Sequence, residues 1–207
     1  MPKIHLYDCL ASTNATAKEL ARAGAEDGEI VAARAQTAGR GQGDHTFCSP
    51  AGTGLYMSRI VRLNLPATQA VRITTTAAVA LTRAIERVTG IQTDIKWIND
   101  TYKDGKKLAG ILTESATDAQ GRLMWAVIGI GVNLRPPEGG FPAEIADIAG
   151  TLYPTGDAPA DLYETLLFAI AEELTAVLPT VANGAYIPEY LAKCRMGRET
   201  AEKMLRA

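Results

Sequence analysis

Histidine and cysteine are scarce in this chain, and aromatic side chains make up only 6% of its 207 residues. The three cysteines, Cys9, Cys48 and Cys194, are widely separated, odd in number and without metal-ligand spacing. With His5 and His45 the only histidines, they argue against a structural zinc site and fit reduced thiols in a cytoplasm. No window approaches the roughly 20 unbroken apolar residues of a membrane span. The start, Met1 to Asp8, lacks the basic-then-apolar profile of a secretion signal and reads as an edge strand. An excess of charge is missing too: 21 Lys+Arg stand against 23 Asp+Glu, a formal net charge of -2, which argues against a generally basic nucleic-acid binder. What is present is 47% hydrophobic and 21% charged residues, ordinary for a globular domain and wrong for a disordered one. A chain of this length buries about 70% of the surface that its unfolded form exposes, so it needs no disulfide or metal to fold.

Hydrophobic periodicity divides the chain. Lys3 to Tyr7 alternates as a short strand. Ser12-Thr13-Asn14 offers N-cap chemistry for an Ala-rich helix to Ala23, ended by Gly24. Glu29 to Gln36 is extended, and Thr37 to Gly54 is polar, glycine-rich and too long for a tight turn. Leu55 to Leu63 reads as a strand and Gln69 to Val88 as a long helix. Asp94 to Ile98 is a brief strand leading into Asn99-Asp100. Asp104-Gly105 is a hairpin signal, with Lys107 opening a strand that returns to Ser115. A turn at Asp118 to Gly121 leads to a strand from Leu123 to Leu134, broken by Pro136, Pro137, Gly139 and Gly140. Leu162 to Leu178 and Ile187 to about Cys194 are helical, and the polar tail from Cys194 to Ala207 reads as a frayed helix. Strands in adjacent hairpins with helices grouped before and after predict an α+β architecture.

Three stretches carry candidate chemistry. In Gly39-Arg40-Gly41-Gln42-Gly43, glycines let backbone N–H groups converge on an anion, and Arg40 adds a permanent charge. It is not a Walker A loop, since no Lys-Ser/Thr follows, and mere flexibility is the rival reading. In Lys96-Trp97-Ile98-Asn99-Asp100, Asn99 and Asp100 stand where a strand gives way to a turn. They serve either backbone hydrogen bonds or a site in which Asp100 takes magnesium or a proton. Lys107, at the head of the apolar run Leu108-Ala109-Gly110-Ile111-Leu112, is either a snorkelling surface lysine or the charge that neutralises a carboxylate–phosphate pair. Gly129 and Gly131 inside Gly129-Ile130-Gly131-Val132-Asn133-Leu134 mark either the close approach of a ligand or backbone, or a bulge.

Together these stretches resemble one family. Ser12-Thr13-Asn14, Gln36-Thr37-Ala38-Gly39-Arg40-Gly41-Gln42, Ser49-Pro50-Ala51-Gly52, Leu55-Tyr56-Met57-Ser58, Lys96-Trp97-Ile98-Asn99-Asp100, Lys107 to Leu112 and Gly129 to Asn133 occur in the order seen in biotin protein ligases. The likeness runs from about Ile4 to Leu134 and continues loosely to about Gly197. It implies the class II aminoacyl-tRNA synthetase-like biotin–lipoate ligase catalytic domain, a mixed β-sheet flanked by helices, over residues 1–195. It implies ATP-dependent formation of biotinyl-5'-adenylate with Mg2+, then transfer of biotin to a lysine of the biotin carboxyl carrier protein of acetyl-CoA carboxylase, in the cytoplasm. By position, Ser12, Thr13, Asn14, Gln36, Arg40, Gly41, Gln42, Lys107, Gly110 and Leu112 resemble the biotin contacts. Lys96, Trp97, Asn99, Asp100 and Asn133 resemble the ATP side, Asp100 being the magnesium ligand. Lys107, Arg40 and Asp100 resemble the catalytic set. The resemblance admits a homodimer and gives no reason to expect DNA or a membrane as partner.

Three departures qualify the likeness. The family's Gly-Arg-Gly-Arg-Arg-Gly-Arg-x-Trp becomes Gly39-Arg40-Gly41-Gln42-Gly43-Asp44-His45-Thr46-Phe47, losing three positive charges and gaining an acid, so weaker retention of the adenylate is expected. The usual proline is Ile98. The family's SH3-like C-terminal domain would begin near Gly197, so residues 196–207 read as a remnant of it or a linker to it. The rivals are a lipoate or octanoate ligase or transferase of the same fold, and a biotin-binding module that does not catalyse.

Overall fold

The computed structural model describes residues 2–43, 45–155 and 158–206. Eight strands form one mixed sheet: β1 (Ile4–Tyr7), β2 (Ile30–Ala33), β3 (Gly54–Val61), β4 (Asp94–Lys96), β5 (Asp100–Lys103), β6 (Lys106–Thr117), β7 (Leu123–Asn133) and β8 (Cys194–Met196). Their spatial order is β1-β2-β3-β7-β6-β5-β4-β8. Both edges are parallel pairs, β1 with β2 and β4 with β8, and every pairing between them is antiparallel.

The faces of the sheet separate by the two-residue period of the strands. Ala126, Ile128, Ile130 and Val132 of β7 enter the main core, beneath α2 (Ala70–Thr89), α4 (Leu162–Val177) and α5 (Ile187–Lys193). α2 runs Ile73, Ala77, Ala80, Leu81 and Ala84 along its buried side at helical spacing and stops at Gly90, whose φ of 70° suits a residue without a Cβ. The opposite face of β7 carries Trp125 and Val127, which meet Ala17 and Ala21 of α1 (Thr13–Arg22) in a second, smaller cluster, and then Gly129 and Gly131. At Gly129 and Gly131 this face carries no side chain, which leaves a trough in the middle of the sheet.

The elements differ from the expectations in places with clear causes. The predicted strand Asp94–Ile98 ends at Lys96, where the chain turns toward β5, although Trp97 N–H still bonds Met196 O of the neighbouring β8 (2.8 Å). A short helix α3 (Ala143–Ala146) follows the proline-rich break, and β8 is three residues with no alternation to announce it. The tail from Arg198 to Arg206 is a docked helix, α6, with Ala201 and Leu205 in the main core. Gly129 and Gly131 lie in unbroken register with β3 and β6, so close approach, not a bulge, explains them.

Candidate active site

Register assembles the site row by row. Tyr56, Gly131, Gly110 and Asp100 are consecutive cross-strand partners, and so are Ser58, Gly129 and Leu112. Over Gly129 lies Asn14, whose Oδ1 would overlap any Cβ added there, and over Gly131 lies the Phe47 ring, 2.6 Å from where a Cβ would stand. The glycines are therefore required by the neighbours that roof the trough.

The first turn of α1 forms one wall. Ser12 has extended backbone at the N-cap but makes no capping hydrogen bond through its side chain. Gln36 does that work from 23 residues away: its Oε1 accepts the Thr13 N–H (2.8 Å) and hydroxyl (3.2 Å). Gln36 Nε2 in turn donates to Ser49 Oγ (3.0 Å), which donates to Phe47 O (2.8 Å). Asn14 is buried, with Nδ2 donating to Leu112 O and Glu114 Oε2, and Oδ1 accepting from Ser58.

The glycine-rich segment is a folded hairpin. Gly41 N–H bonds His45 O (2.7 Å), Phe47 N–H bonds Gly39 O (2.9 Å), and Arg40 bridges Thr46. Asp44, the acid noted in the sequence, lies outside the described residues.

Beneath this hairpin lies a cavity of about 190 Å³ that Ser12, Thr13, Asn14, Gln36, Arg40, Gly41, Gln42, Lys107, Gly110 and Leu112 all line. A second cavity, about 320 Å³, adjoins it, with Lys96, Tyr102 and Asn133 on its polar side and Phe141, Ile145, Ile148 and Ala149 on its apolar side. His45, Thr46, Phe47, Asp100 and Lys107 border both. Lys107 and Asp100 thus stand at the junction, Nζ 2.7 Å from Oδ1. The contact is an ion pair out of hydrogen-bonding alignment, so this buried carboxylate oxygen receives no directed hydrogen bond. Lys96 Nζ lies 5.5 Å from the Tyr102 ring centroid, a cation–π contact on the second cavity's wall.

The trough also holds Glu114, which accepts from Lys18 (2.7 Å) and from Arg40 (3.3 Å) as well as Asn14. Burial pushes its carboxyl up, but hydrogen bonds from Lys18 and Asn14 and the charges of Lys18 and Arg40 outweigh this and hold it below its ordinary value. Cys48, on the wall of the second cavity, has its thiol pushed up by burial.

Two residues expected on the nucleotide side stand elsewhere. Trp97 lines neither cavity: its ring meets Tyr190 edge-on at 6.2 Å and its Cβ covers Gly197, because the turn after β4 directs it into the body. Asn99 borders the first cavity, and its amide is spent on Ile111 O (2.8 Å). Conversely, His45, Phe47, Ser58, Tyr102, Glu114, Phe141, Ile145 and Ile148 were not singled out by the sequence. Ser58 belongs to the motif Leu55-Tyr56-Met57-Ser58, and His45 and Phe47 belong to the glycine-rich loop, but only strand register and the fold give the others a place at the site.

A polar cavity and a more apolar one thus meet at a lysine–carboxylate pair under a glycine hairpin. A sheet of this order with helices on its faces has a known counterpart. The chain belongs to the biotin/lipoate A/B protein ligase family, whose model matches residues 6–133. It is 44% identical over 146 residues to the bifunctional ligase/repressor BirA of Bacillus subtilis (strain 168), covering 70% of this chain and 45% of that protein. It is 38% identical over 125 residues to the biotin–[acetyl-CoA-carboxylase] ligase of Paracoccus denitrificans, covering 59% and 51%. The chain thus spans about half the length of the curated relatives it matches. Among solved structures it resembles the biotin protein ligase from Aquifex aeolicus in complex with biotin and ATP, with a TM-score of 0.75 and 25% identity over 94% of this chain and 79% of that one. Among the described residues no helix is long and apolar enough to cross a membrane.

Proposed function

We propose that this protein activates biotin with ATP and transfers it to a lysine of a biotin carboxyl carrier protein. The observation that carries the reading is the junction of the two cavities at Lys107 and Asp100. Biotin would occupy the polar cavity, its ring against the first turn of α1 and its carboxylate toward Lys107. ATP would occupy the second, with its base against Phe141, Ile145 and Ile148 and its phosphates toward Lys96 and Lys107. A biotin carboxylate oxygen attacks the α-phosphorus and pyrophosphate leaves. Lys107 offsets charge on the reacting oxygens. In the second step the carrier lysine attacks the acyl carbon, AMP departs, and Asp100, at the junction of the two cavities, accepts the amine proton. The hairpin Gly39–Phe47 shields the mixed anhydride from water.

Among the described residues no group of three or more His, Cys, Asp or Glu side chains could hold a metal ion. A single carboxylate, Asp100, fits a magnesium ion that arrives on the nucleotide phosphates and would neutralise them there. The reading includes a cytoplasmic setting, with Cys9, Cys48 and Cys194 as free thiols.

The test is ATP–pyrophosphate exchange on the purified chain, with biotin and lipoate supplied in turn. Biotin-dependent exchange is expected. Exchange only with lipoate moves the assignment within the family, and silence with both in a folded protein that binds biotin removes the activity.

A further inference from the structure

We propose that Glu114 is the positioning residue of this site: an internal anion that sets the Asn14 amide and holds Arg40 before any ligand arrives. Register puts Glu114 on the trough face of β6, opposite Val127 and two residues beyond Leu112. A carboxylate can only accept. Its Oε2, 2.9 Å from Asn14 Nδ2, therefore forces the amide nitrogen toward β6, where Leu112 O takes a second bond (3.2 Å). The Asn14 carbonyl is thereby turned to Ser58 Oγ, 2.6 Å away, and over Gly129.

From Ser58 the contacts continue to Thr13 Oγ1 (2.8 Å), from there to Gln36, and through Ser49 to Phe47 O. One network therefore begins at Arg40 and ends at Phe47, the two flanks of the hairpin. Glu114 meets two cations of different character. Lys18 is mostly buried and close, at 17% side-chain exposure and 2.7 Å. Arg40 is half exposed and farther, at 49% and 3.3 Å. Lys18 is the permanent counter-ion, and Arg40 is the exchangeable one. When Arg40 turns to an anionic ligand beside Lys107, Glu114 stays neutralised. Glu114 thus fixes the Asn14 wall and the Arg40 side of the cavity together, through a contact to Arg40 that can be exchanged.

The inference rests on the proposed function only for the identity of the ligand, so its first readout needs none. In the ligand-free protein, the rate of trypsin cleavage after Arg40 reports release of its side chain and hairpin. Glu114→Gln should raise that rate about three- to fivefold, the scale of a lost half-exposed ion pair. Lys18→Gln should leave it unchanged or slower, since Glu114 then has Arg40 as its main cation. Faster cleavage in both variants is general loosening and overturns the proposal, as does no change in Glu114→Gln. Should Glu114→Gln fail to fold, Glu114→Asp replaces it, with the shortened carboxylate expected to give the same increase.

The second readout is kinetic. Glu114→Gln should raise the KM for biotin about tenfold while kcat changes less than about twofold, because the residue acts through Asn14 and Arg40. An unchanged KM, or a loss confined to kcat, overturns the role. Faster cleavage in Glu114→Gln alone, with no biotin-dependent exchange even in the parent chain, would sustain the latch and sink the ligase reading.

Discussion

At the scale of single residues, the junction of the two cavities makes the sharpest demands. Lys107→Ala should reduce biotin-dependent pyrophosphate exchange by at least about a hundredfold. Its melting temperature should fall by a few degrees, since the Lys107 charge faces a buried Asp100 oxygen, while its circular dichroism stays that of the parent. Exchange within a factor of about three of the parent would take Lys107 out of the chemistry. Gly129 tests the trough. Its backbone is in the ordinary strand region, so an added methyl group costs only through contact with Asn14. Gly129→Ala should lose about 1–3 kcal/mol in denaturant melts and weaken biotin binding, because Asn14 must move. Wild-type stability would mean that the Asn14 contact yields freely. Site residues differ in how openly the sequence displays them. Arg40, Asp100 and Lys107 stand in motifs that the family resemblance marks. Glu114 sits in Leu112-Thr113-Glu114-Ser115, which reads as any strand with a wet face, and only the register with Val127 turns it inward.

At the scale of elements, the hairpin from Gly39 to Phe47 combines order with a lean charge. Its backbone bonds and its ties to Ser49 and Glu114 hold it over the trough, yet Arg40 is the single arginine of the segment. Gln42 lines the first cavity where another cation would face the adenylate. Gln42→Arg should slow release of the adenylate in a filter-binding chase, by several-fold if the added charge-assisted hydrogen bond resembles others. Release at the parent's rate would show that charge at this position does not govern retention. The long helices and central strands were readable because their periods are sustained: the predicted helix Gln69–Val88 and the observed Ala70–Thr89 differ by one residue at each end. Short elements were not readable. Trp97 and Ile98 read as the end of a strand, yet the chain already turns there, held from far away by the Tyr190 hydroxyl on Ile98 O. The start of α1 shows the same thing, since the residue that caps it is Gln36 and not Ser12.

At the scale of the whole molecule, the sheet is finished at both edges by segments remote in sequence from its middle. At the β1 edge, Glu29 joins Lys3 (3.1 Å) and His5 (2.8 Å). The hydrogen bond from His5, then that from the Glu26 backbone, hold its carboxyl down at about 2. A depressed carboxyl stabilises the fold above its unfolded value of 4.5 and loses that contribution as pH falls toward about 2. Melting temperature should therefore drop over this window, and Glu29→Gln should flatten part of the drop while costing stability at neutral pH. Parallel pH curves for the two proteins would assign the loss to other carboxylates. At the opposite edge, β8 pairs with β4, and its neighbour α5 sends the Tyr190 hydroxyl to the turn that precedes Asp100. This has a consequence for the order in which the molecule is made. A ribosome delivers α1, the hairpin and the glycine strand early, so one wall, the roof and the floor of the polar cavity can form while synthesis continues. The turn before Asp100 waits for residues 190–196 to leave the exit tunnel, and the carboxylate that the two cavities share is seated last.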